Sequence, residues 1–253
     1  YHLPEPEVLP FERLAVDANT GNQRLTALAA LAAAGNFGGP LVETKPLVVC
    51  SVGSAMLYTL PPELMAGVFP ATGELSVWKK GDRIRVSDML GHWLDLGYHN
   101  EPVVEAPGSF SHRGGILDVY PTGAEWPVRI ELWDDEIDTM RNFDPVSQRS
   151  IGAIEEVRLA PAKEQLPNLA HQETVKTRID ALDYAKCGTE VRGRMTEELS
   201  QLTSVPNPET LSFYNGLVNQ AHLMEYIGAN GRVVLERYGR VEAEGLELSL
   251  IHI

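Results

Sequence analysis

The chain has 253 residues, of which 43% are apolar, and a formal net charge of −14 at pH 7. This length fits one large domain or two ordinary ones, and no apolar run approaches the roughly 20 residues of a membrane-spanning helix. The acidic balance argues against a non-specific binder of phosphate backbones, because such binding depends on clustered lysine and arginine. Cys50 and Cys187 show no disulfide or metal-binding spacing, which favours a cytoplasmic protein.

The first compositional zone, residues 1–75, predicts an α/β layer. The stretch "TGNQRLTALAALAAAGN", residues 20–36, predicts a helix that begins with a capping box of Thr20 and Gln23. The valine-rich run "PLVVCSV", residues 46–52, predicts a strand buried on both faces, as in a parallel sheet. The start of the chain has neither a methionine nor a signal-peptide pattern, so we expect an internal fragment.

The second zone, residues 76–160, predicts an α+β module rich in antiparallel strands. A helix is expected from an N-cap at Ser87 to a stop at Gly97, with Trp93 and Leu94 on its buried face. Short alternating segments bounded by turn residues then predict strands. These segments are residues 102–105, 109–112, 116–120, 128–133, 137–143 and 154–159.

The third zone, residues 161–247, is predicted to be mostly helical. Its apolar run "RVVLER", residues 232–237, predicts a buried strand that would rejoin the sheet of the first zone. We therefore predict a discontinuous α/β domain, formed by residues 1–75 and 161–247, with the second zone inserted in it. The final "LSLIHI", residues 248–253, resembles a translated sequencing adapter. It is expected to be a non-native tail, and the alternative is the start of a genuine strand.

The motifs of common catalytic sites are missing from the sequence. It contains neither the GxxxxGK[ST] spacing of a phosphate-binding loop nor a pair of histidines at i and i+4. The acidic cluster at residues 134–138 lacks the glycine and glutamate positions of a calcium loop, so a turn between two strands is the better interpretation. We therefore expect no catalysis, cofactor or metal within this chain.

The strand "RIELWDDEID", residues 129–138, has unusual residues on its polar face. Its alternation places Val128 and Ile130 on one face, and Arg129 and Trp133 on the other. An exposed tryptophan beside an arginine is typical of the residues that dominate binding interfaces. The alternative is that Trp133 covers the edge of the sheet against the helix predicted at 87–96.

Three linked motifs carry a family resemblance. They are "RGGILDVYP", "PVRIELWDDEI" and "FDPVSQR", which together occupy most of residues 110–151. This pattern closely resembles the UvrB-homology region of bacterial transcription-repair coupling factors. Further agreement in "LPFERL", "VWKKGDRI", "LAPAKE" and "VLERYGRVEAE" extends the resemblance over nearly all of residues 3–247. The tyrosine-rich, DNA-threading hairpin of UvrB has no counterpart here.

The resemblance implies a fold and a set of partners. The discontinuous domain would be a degenerate helicase-like domain with a parallel sheet, and the inserted zone would dock the excision-repair protein UvrA. The parent protein would be an ATP-dependent DNA translocase that displaces stalled RNA polymerase and uses ATP and Mg²⁺ in motor domains outside this chain. The docking surface would be masked by a C-terminal domain of the parent.

The resemblance also assigns docking residues. Arg113, Arg129, Trp133 and Arg141 are the predicted UvrA contacts, and Arg149 is expected to be structural. Substitution of Arg129 or Trp133 by alanine is expected to weaken UvrA capture and to leave the thermal midpoint nearly unchanged. Two alternatives stay open. The chain could be a fragment of UvrB, the ATP-dependent damage-binding subunit, or it could bind DNA directly.

Overall fold

A computed structural model describes residues 1–7, 16–35, 45–68, 76–166, 172–202, 213–228 and 231–251 of the chain. The strands are β1 (His2–Leu3), β2 (Val49–Cys50), β3 (Val77–Lys79), β4 (His99–Asn100), β5 (Ser109–Arg113), β6 (Ile116–Val119), β7 (Val128–Trp133), β8 (Glu136–Phe143), β9 (Ser150–Ala153) and β10 (Glu156–Arg158). The α-helices are α1 (Ala18–Ala34), α2 (Val52–Met56), α3 (Pro62–Met65), α4 (Val86–Asp95), α5 (Gln172–Asp180), α6 (Thr189–Leu202), α7 (Asn215–Val218) and α8 (Tyr238–Ile251), and a 3₁₀ turn spans Leu223–Tyr226.

The largest sheet has six strands in the order β4-β5-β6-β7-β8-β9. All neighbours are antiparallel except β4 and β5. The predicted strands at 109–112, 116–120, 128–133 and 137–143 are therefore confirmed. No strand forms at 102–105, where Pro102 has no N–H to donate, and the strand at Ser150–Ala153 was not predicted. The segment at 154–159 contributes β10, which pairs with β3 instead of the large sheet.

Helix α4 covers one face of this sheet. Trp93 is fully buried there, with its ring edge-on to Phe110 at 5.5 Å and to Trp78 at 6.1 Å between centroids. Gly97 ends the helix with φ +86, as predicted, because that conformation strains other residues. Two details differ. The N-cap is Arg85 and has no side-chain cap, and Leu94 is 49% exposed because Met89 and Trp93 occupy the core side.

A second core contains residues from both ends of the chain. Helix α1 contributes Leu25 and Leu28, which pack with Leu60 and with Leu223 and Tyr226 of the 3₁₀ turn. The first and third zones are therefore in contact. Parallel pairing in the described residues at this end is limited to β1 with β2, two residues each. The chain combines helices with parallel and antiparallel strands, so the mixed α/β class is confirmed. The helicase-like, discontinuous domain stays a prediction.

Three further predictions, for the first and third zones, are wrong. In place of the Thr20 box, Asp17 caps α1 by accepting a hydrogen bond from the Thr20 N–H at 2.8 Å. The run at 46–52 is not buried on both faces, since Val49 is 60% exposed in a two-residue strand.

The run "RVVLER" at 232–237 pairs with no described strand and is not a strand itself. It is not buried either, since Val234 is 89% exposed. Helix α8 then continues to Ile251, so the described part of the predicted tail is helical rather than the start of a strand. The predominance of helices in the third zone is confirmed by α5 to α8.

A buried ion pair connects helix α1 to the start of the third zone. Arg24 of α1 donates from Nε to Glu164 Oε1 at 2.5 Å and from Nη2 to Glu164 Oε2 at 3.1 Å. The hydroxyl of Thr59 donates to the same carboxylate at 3.0 Å, and the Asn219 amide donates to the Glu164 carbonyl at 2.6 Å. These bonds compensate the desolvation of both charges, as a buried pair requires.

Within the described ranges, no helix has the length and apolar character needed to cross a membrane.

Candidate protein-docking face

The six-stranded sheet has one face against α4 and one that carries polar side chains. Alternation along β5 to β8 defines the second, which we name the outward face. Its residues are Arg113, Ile116, Asp118, Arg129, Glu131, Trp133, Thr139 and Arg141. Each of the four predicted docking residues therefore lies on one face of one sheet. Leu132 remains packed with the inner core although a bulge interrupts the pairing of β7 with β8 beside it, so Trp133 keeps its outward position.

Trp133 is the most exposed large apolar side chain of this face. It is 80% exposed at the end of β7, opposite Glu136 of β8. The alternative that it covers the sheet edge against the helix at 87–96 is wrong, because α4 packs on the inner face. The ring therefore has a large apolar surface still available to a partner.

Arg129 is held by its neighbours rather than exposed. Its Nε and Nη2 donate to the two oxygens of Asp118 at 2.7 and 2.8 Å, and its guanidinium carbon lies 4.8 Å from the centroid of the buried Phe143 ring. Its side chain is 23% exposed. The hydrogen bond that Arg129 donates to Asp118 raises the pKa of Arg129 further above its ordinary value, so the guanidinium keeps its charge. Arg129 thus serves the fold as well as the surface.

Arg141 lies directly opposite Arg129 on β8 and has its own acidic partner. Its Nη2 donates to Glu131 Oε2 at 2.5 Å, and Thr139 donates to the same oxygen at 2.9 Å. The Arg141 side chain is 34% exposed, so part of the guanidinium stays accessible beside the ion pair. The centre of the outward face therefore holds two ion pairs, Asp118–Arg129 and Glu131–Arg141.

Arg113 and Ile116 flank the turn between β5 and β6, next to the end of β7. The Leu132 N–H donates to the Gly115 carbonyl at 2.8 Å, which holds this turn beside the strand that carries Trp133. Gly114 has φ +59, a conformation that glycine adopts without strain. Arg113 is exposed and donates to the Pro102 carbonyl, and Ile116 is 40% exposed. The exposed apolar and cationic groups thus share one end of the sheet.

Asp134 and Asp135 of the acidic cluster form the neighbouring turn, which joins β7 to β8. Asp134 adopts φ +59, which aspartate tolerates better than most residues, and Asp135 and Glu136 lie 3.6 and 3.9 Å from the Arg83 guanidinium. The turn interpretation is confirmed. Across the described part of the chain, no three His, Cys, Asp or Glu side chains are placed together as metal ligands.

The turn at 144–149 joins β8 to β9 and contacts the outward face where Arg129 Nη2 donates to Gln148 Oε1 at 3.5 Å. Asp144 accepts from the backbone N–H groups of Val146 and Ser147, and these bonds, chiefly that of Ser147, hold its pKa below the usual range. The Arg149 carbonyl accepts from the Asp144 N–H at 2.9 Å. The backbone of Arg149 therefore closes the turn. That the Arg149 side chain has a structural role stays a prediction.

Comparison with known proteins identifies the relatives of this chain. A profile of the UvrB interaction domain matches residues 77–164, the region that contains the whole outward face. The transcription-repair-coupling factor of Myxococcus xanthus is 37% identical over 164 residues, covering 65% of this chain and 12% of that protein. The Bacillus subtilis (strain 168) protein of the same name is 29% identical over 213 residues, covering 78% and 17%, and the Escherichia coli (strain K12) protein is 32% identical over 164 residues, covering 64% and 13%.

The chain is a homologue of the transcription-repair coupling factors. It spans 12% to 17% of the length of these three relatives. In this coupling-factor homologue, the sequence prediction found the basic and aromatic residues of the outward face and missed Asp118 and Glu131. The sequence does indicate the position of both acids. Each lies two residues from another outward-facing residue of its own strand, so strand alternation places it on the same face. The register between the strands decides which arginine each one meets.

Proposed function

We propose that the outward face docks the nucleotide-excision-repair protein UvrA. The observation that carries this proposal is Trp133, 80% exposed on a sheet whose neighbouring charges are fixed by ion pairs. Burial of a tryptophan removes roughly 150–250 Å² of side-chain surface from water, which is enough for one residue to dominate an interface. The homology to coupling factors and the UvrB interaction domain match support UvrA as the partner.

The arrangement of charges suits a partner with an acidic rim. Arg113 is exposed at the same end of the sheet as Trp133, and Arg141 keeps part of its guanidinium accessible, so both can donate bidentately to a partner carboxylate. Because Asp118 and Glu131 already fix two arginine heads, little side-chain entropy is lost when a partner binds them. We expect the hydrophobic contact at Trp133 to supply affinity and the charges to select the partner.

The sharpest experiment measures capture by immobilised UvrA. Trp133→Ala should weaken binding by about 2 kcal/mol or more, roughly thirtyfold in Kd, as truncation of an interface hot spot does. Leu47→Ala is the matched control, because Leu47 is 77% exposed and lies outside the outward face. If a Trp133→Ala/Arg113→Ala double variant binds UvrA as tightly as the unchanged chain, the outward face is not the docking site.

The parent protein is proposed to be a cytoplasmic ATP-dependent DNA translocase that displaces stalled RNA polymerase. Its contacts with polymerase and duplex DNA, its ATP and Mg²⁺ sites and the C-terminal domain that masks the docking surface would lie in regions outside this chain. The three relatives compared above are all coupling factors, which favours this parent over UvrB.

A further inference from the structure

The outward face carries a second apolar residue near Trp133. Ile116 is 40% exposed at the start of β6, and strand alternation turns it to the same side of the sheet as Trp133. The residues of opposite parity on this strand, Leu117 and Val119, are fully buried in the inner core. Of the outward-face residues named above, Ile116 and Trp133 are the apolar ones. We name these two side chains the apolar corner.

The pairing of β6 with β7 makes the two side chains neighbours. Ile116 lies opposite Glu131, and Trp133 lies two residues further along β7. The Leu132 N–H donates to the Gly115 carbonyl at 2.8 Å, so backbone bonding between the strands continues as far as the residue before Trp133. Residues in such diagonal positions are roughly 7–8 Å apart, which is within reach of an aromatic ring. The apolar corner is therefore one surface rather than two scattered residues.

The backbone holds the apolar corner in place. A side-chain carbon added at Gly115 would lie 3.3 Å from the Leu132 carbonyl oxygen, so the turn between β5 and β6 is already in close contact with β7. On the inner side, Leu117 of β6 and Ile130 of β7 are fully buried in the same core. A surface that is ordered before binding loses less conformational entropy when a partner arrives.

Charged groups border the apolar corner without covering it. Arg113 lies directly opposite Ile116 across β5 and β6 and is exposed. The acid opposite Ile116 on the other side, Glu131, is engaged by Arg141 and Thr139 of β8. An apolar centre with a polar, accessible border is the usual composition of a protein–protein interface. The charge nearest to the corner that still faces outward is thus the cation of Arg113.

We propose that Ile116 is a second docking residue, and that it packs together with Trp133 against one continuous apolar surface of the partner. This inference rests on the proposed docking of UvrA and assigns the chemistry of the surface that UvrA presents. That surface is apolar where it covers the corner, and it has a carboxylate at its border that accepts hydrogen bonds from Arg113. A single exposed isoleucine is ordinary on a protein surface, whereas an isoleucine adjoining an exposed tryptophan enlarges one patch.

Capture by immobilised UvrA tests the contribution of Ile116. Ile116→Thr keeps a β-branched side chain and removes apolar surface. It should weaken capture by about fourfold or more, since one methylene buried at an interface contributes roughly this factor. Ile151→Thr is the matched control, because Ile151 is 52% exposed on β9 of the same sheet and lies outside the outward face. Ile116→Leu keeps the apolar volume and should bind within about twofold of the unchanged chain.

NMR cross-saturation separates direct contact from an effect on folding. The chain is deuterated and labelled at its isoleucine methyl groups, and protons of UvrA are saturated. The Ile116 methyl signal should lose more intensity than that of Ile151, because saturation passes only between atoms in contact. The Ile116→Leu and Ile151→Leu variants assign the two signals. Circular dichroism checks that each variant folds, and the cross-saturation result decides the contact if Ile116→Thr does not.

A double variant tests whether the corner acts as one surface. Trp133→Ala/Ile116→Thr should lose less affinity than the product of the two single losses, because residues that share a partner surface are coupled. Fully additive losses would mean two separate contacts and would overturn the single surface.

The outcomes distinguish this inference from the docking proposal. Equal capture of Ile116→Thr and Ile151→Thr, or equal attenuation of the two methyl signals, would overturn the role of Ile116. If Trp133→Ala still weakens capture in that case, the docking proposal stands without Ile116. If neither Trp133→Ala nor Ile116→Thr weakens capture, both proposals are wrong.

Discussion

Arg129 and Arg141 face each other in register across β7 and β8, and each is paired with a different carboxylate. Like charges in directly opposite positions destabilise a sheet, so this arrangement depends on Asp118 and Glu131. The acids lie on β6 and β7, so each arginine has a carboxylate next to it on the outward face. The two cations are thereby kept close together, because each carboxylate offsets the repulsion between them.

The Asp118–Arg129 pair should contribute measurably to stability. Both side chains are largely buried, at 13% and 23% exposure, and they share two short hydrogen bonds. A double-mutant cycle of Asp118→Ala and Arg129→Ala, followed by urea unfolding, should give a coupling free energy of about 1–2 kcal/mol. The exposed Arg85–Asp88 pair, with its atoms 4.0 Å apart, is the control and should give about 0.5 kcal/mol or less. Equal coupling in the two pairs would contradict this role for Arg129.

The same pair marks the limit of prediction from sequence. Alternation correctly placed Trp133 and Arg129 outward, because parity along a strand is a local property. The expectation that Arg129→Ala leaves the thermal midpoint unchanged conflicts with the ion pair and the Phe143 contact found in the structure. That pair joins two strands across an eight-residue connection, and its register is set by the whole hairpin. Trp133, which makes no such contact, is therefore the better position for testing docking alone.

Long-range contacts explain the other differences. The strand prediction at 232–237 rested on apolar composition, but a strand also needs a neighbour to bond its backbone. Likewise, nothing local in "LAPAKE" indicates that Glu164 meets Arg24, which lies 140 residues earlier. The antiparallel module was easier to predict because its hairpins are formed between strands adjacent in sequence.

Glu164→Ala should destabilise the chain strongly. Removal of one partner leaves Arg24 buried at 2% exposure without its counterion, which typically costs about 3–5 kcal/mol. Urea unfolding measures the loss, and Glu173→Ala on the exposed surface of α5 is the control. An Arg24→Met/Glu164→Leu variant removes both charges and should recover much of the lost stability. A double variant no more stable than Glu164→Ala would indicate that the pair is not the cause.

Stability should show an acid dependence from the cap of α1. The hydrogen bond from the Thr20 N–H holds the pKa of Asp17 below its ordinary value of about 3.9. A carboxylate with a lowered pKa stabilises the fold fully above the unfolded value and loses this contribution as the pH falls through the folded value. The difference in thermal midpoint between the unchanged chain and Asp17→Ala should therefore be constant near neutral pH and shrink below about pH 4. A difference that stays constant down to pH 3 would contradict an ionised cap.

The exposure of Trp133 can be tested by acrylamide quenching of fluorescence. The chain has four tryptophans, and among them Trp133 is 80% exposed whereas Trp93 is fully buried. Trp133→Phe should therefore reduce the Stern–Volmer slope more than Trp78→Phe, the control on the inner side of the sheet. Addition of tryptophan-free UvrA should lower the slope of the unchanged chain and leave that of Trp133→Phe nearly constant, because a bound partner excludes quencher from the ring. If Trp133→Phe leaves the slope unchanged, the ring is covered and cannot serve as the docking contact.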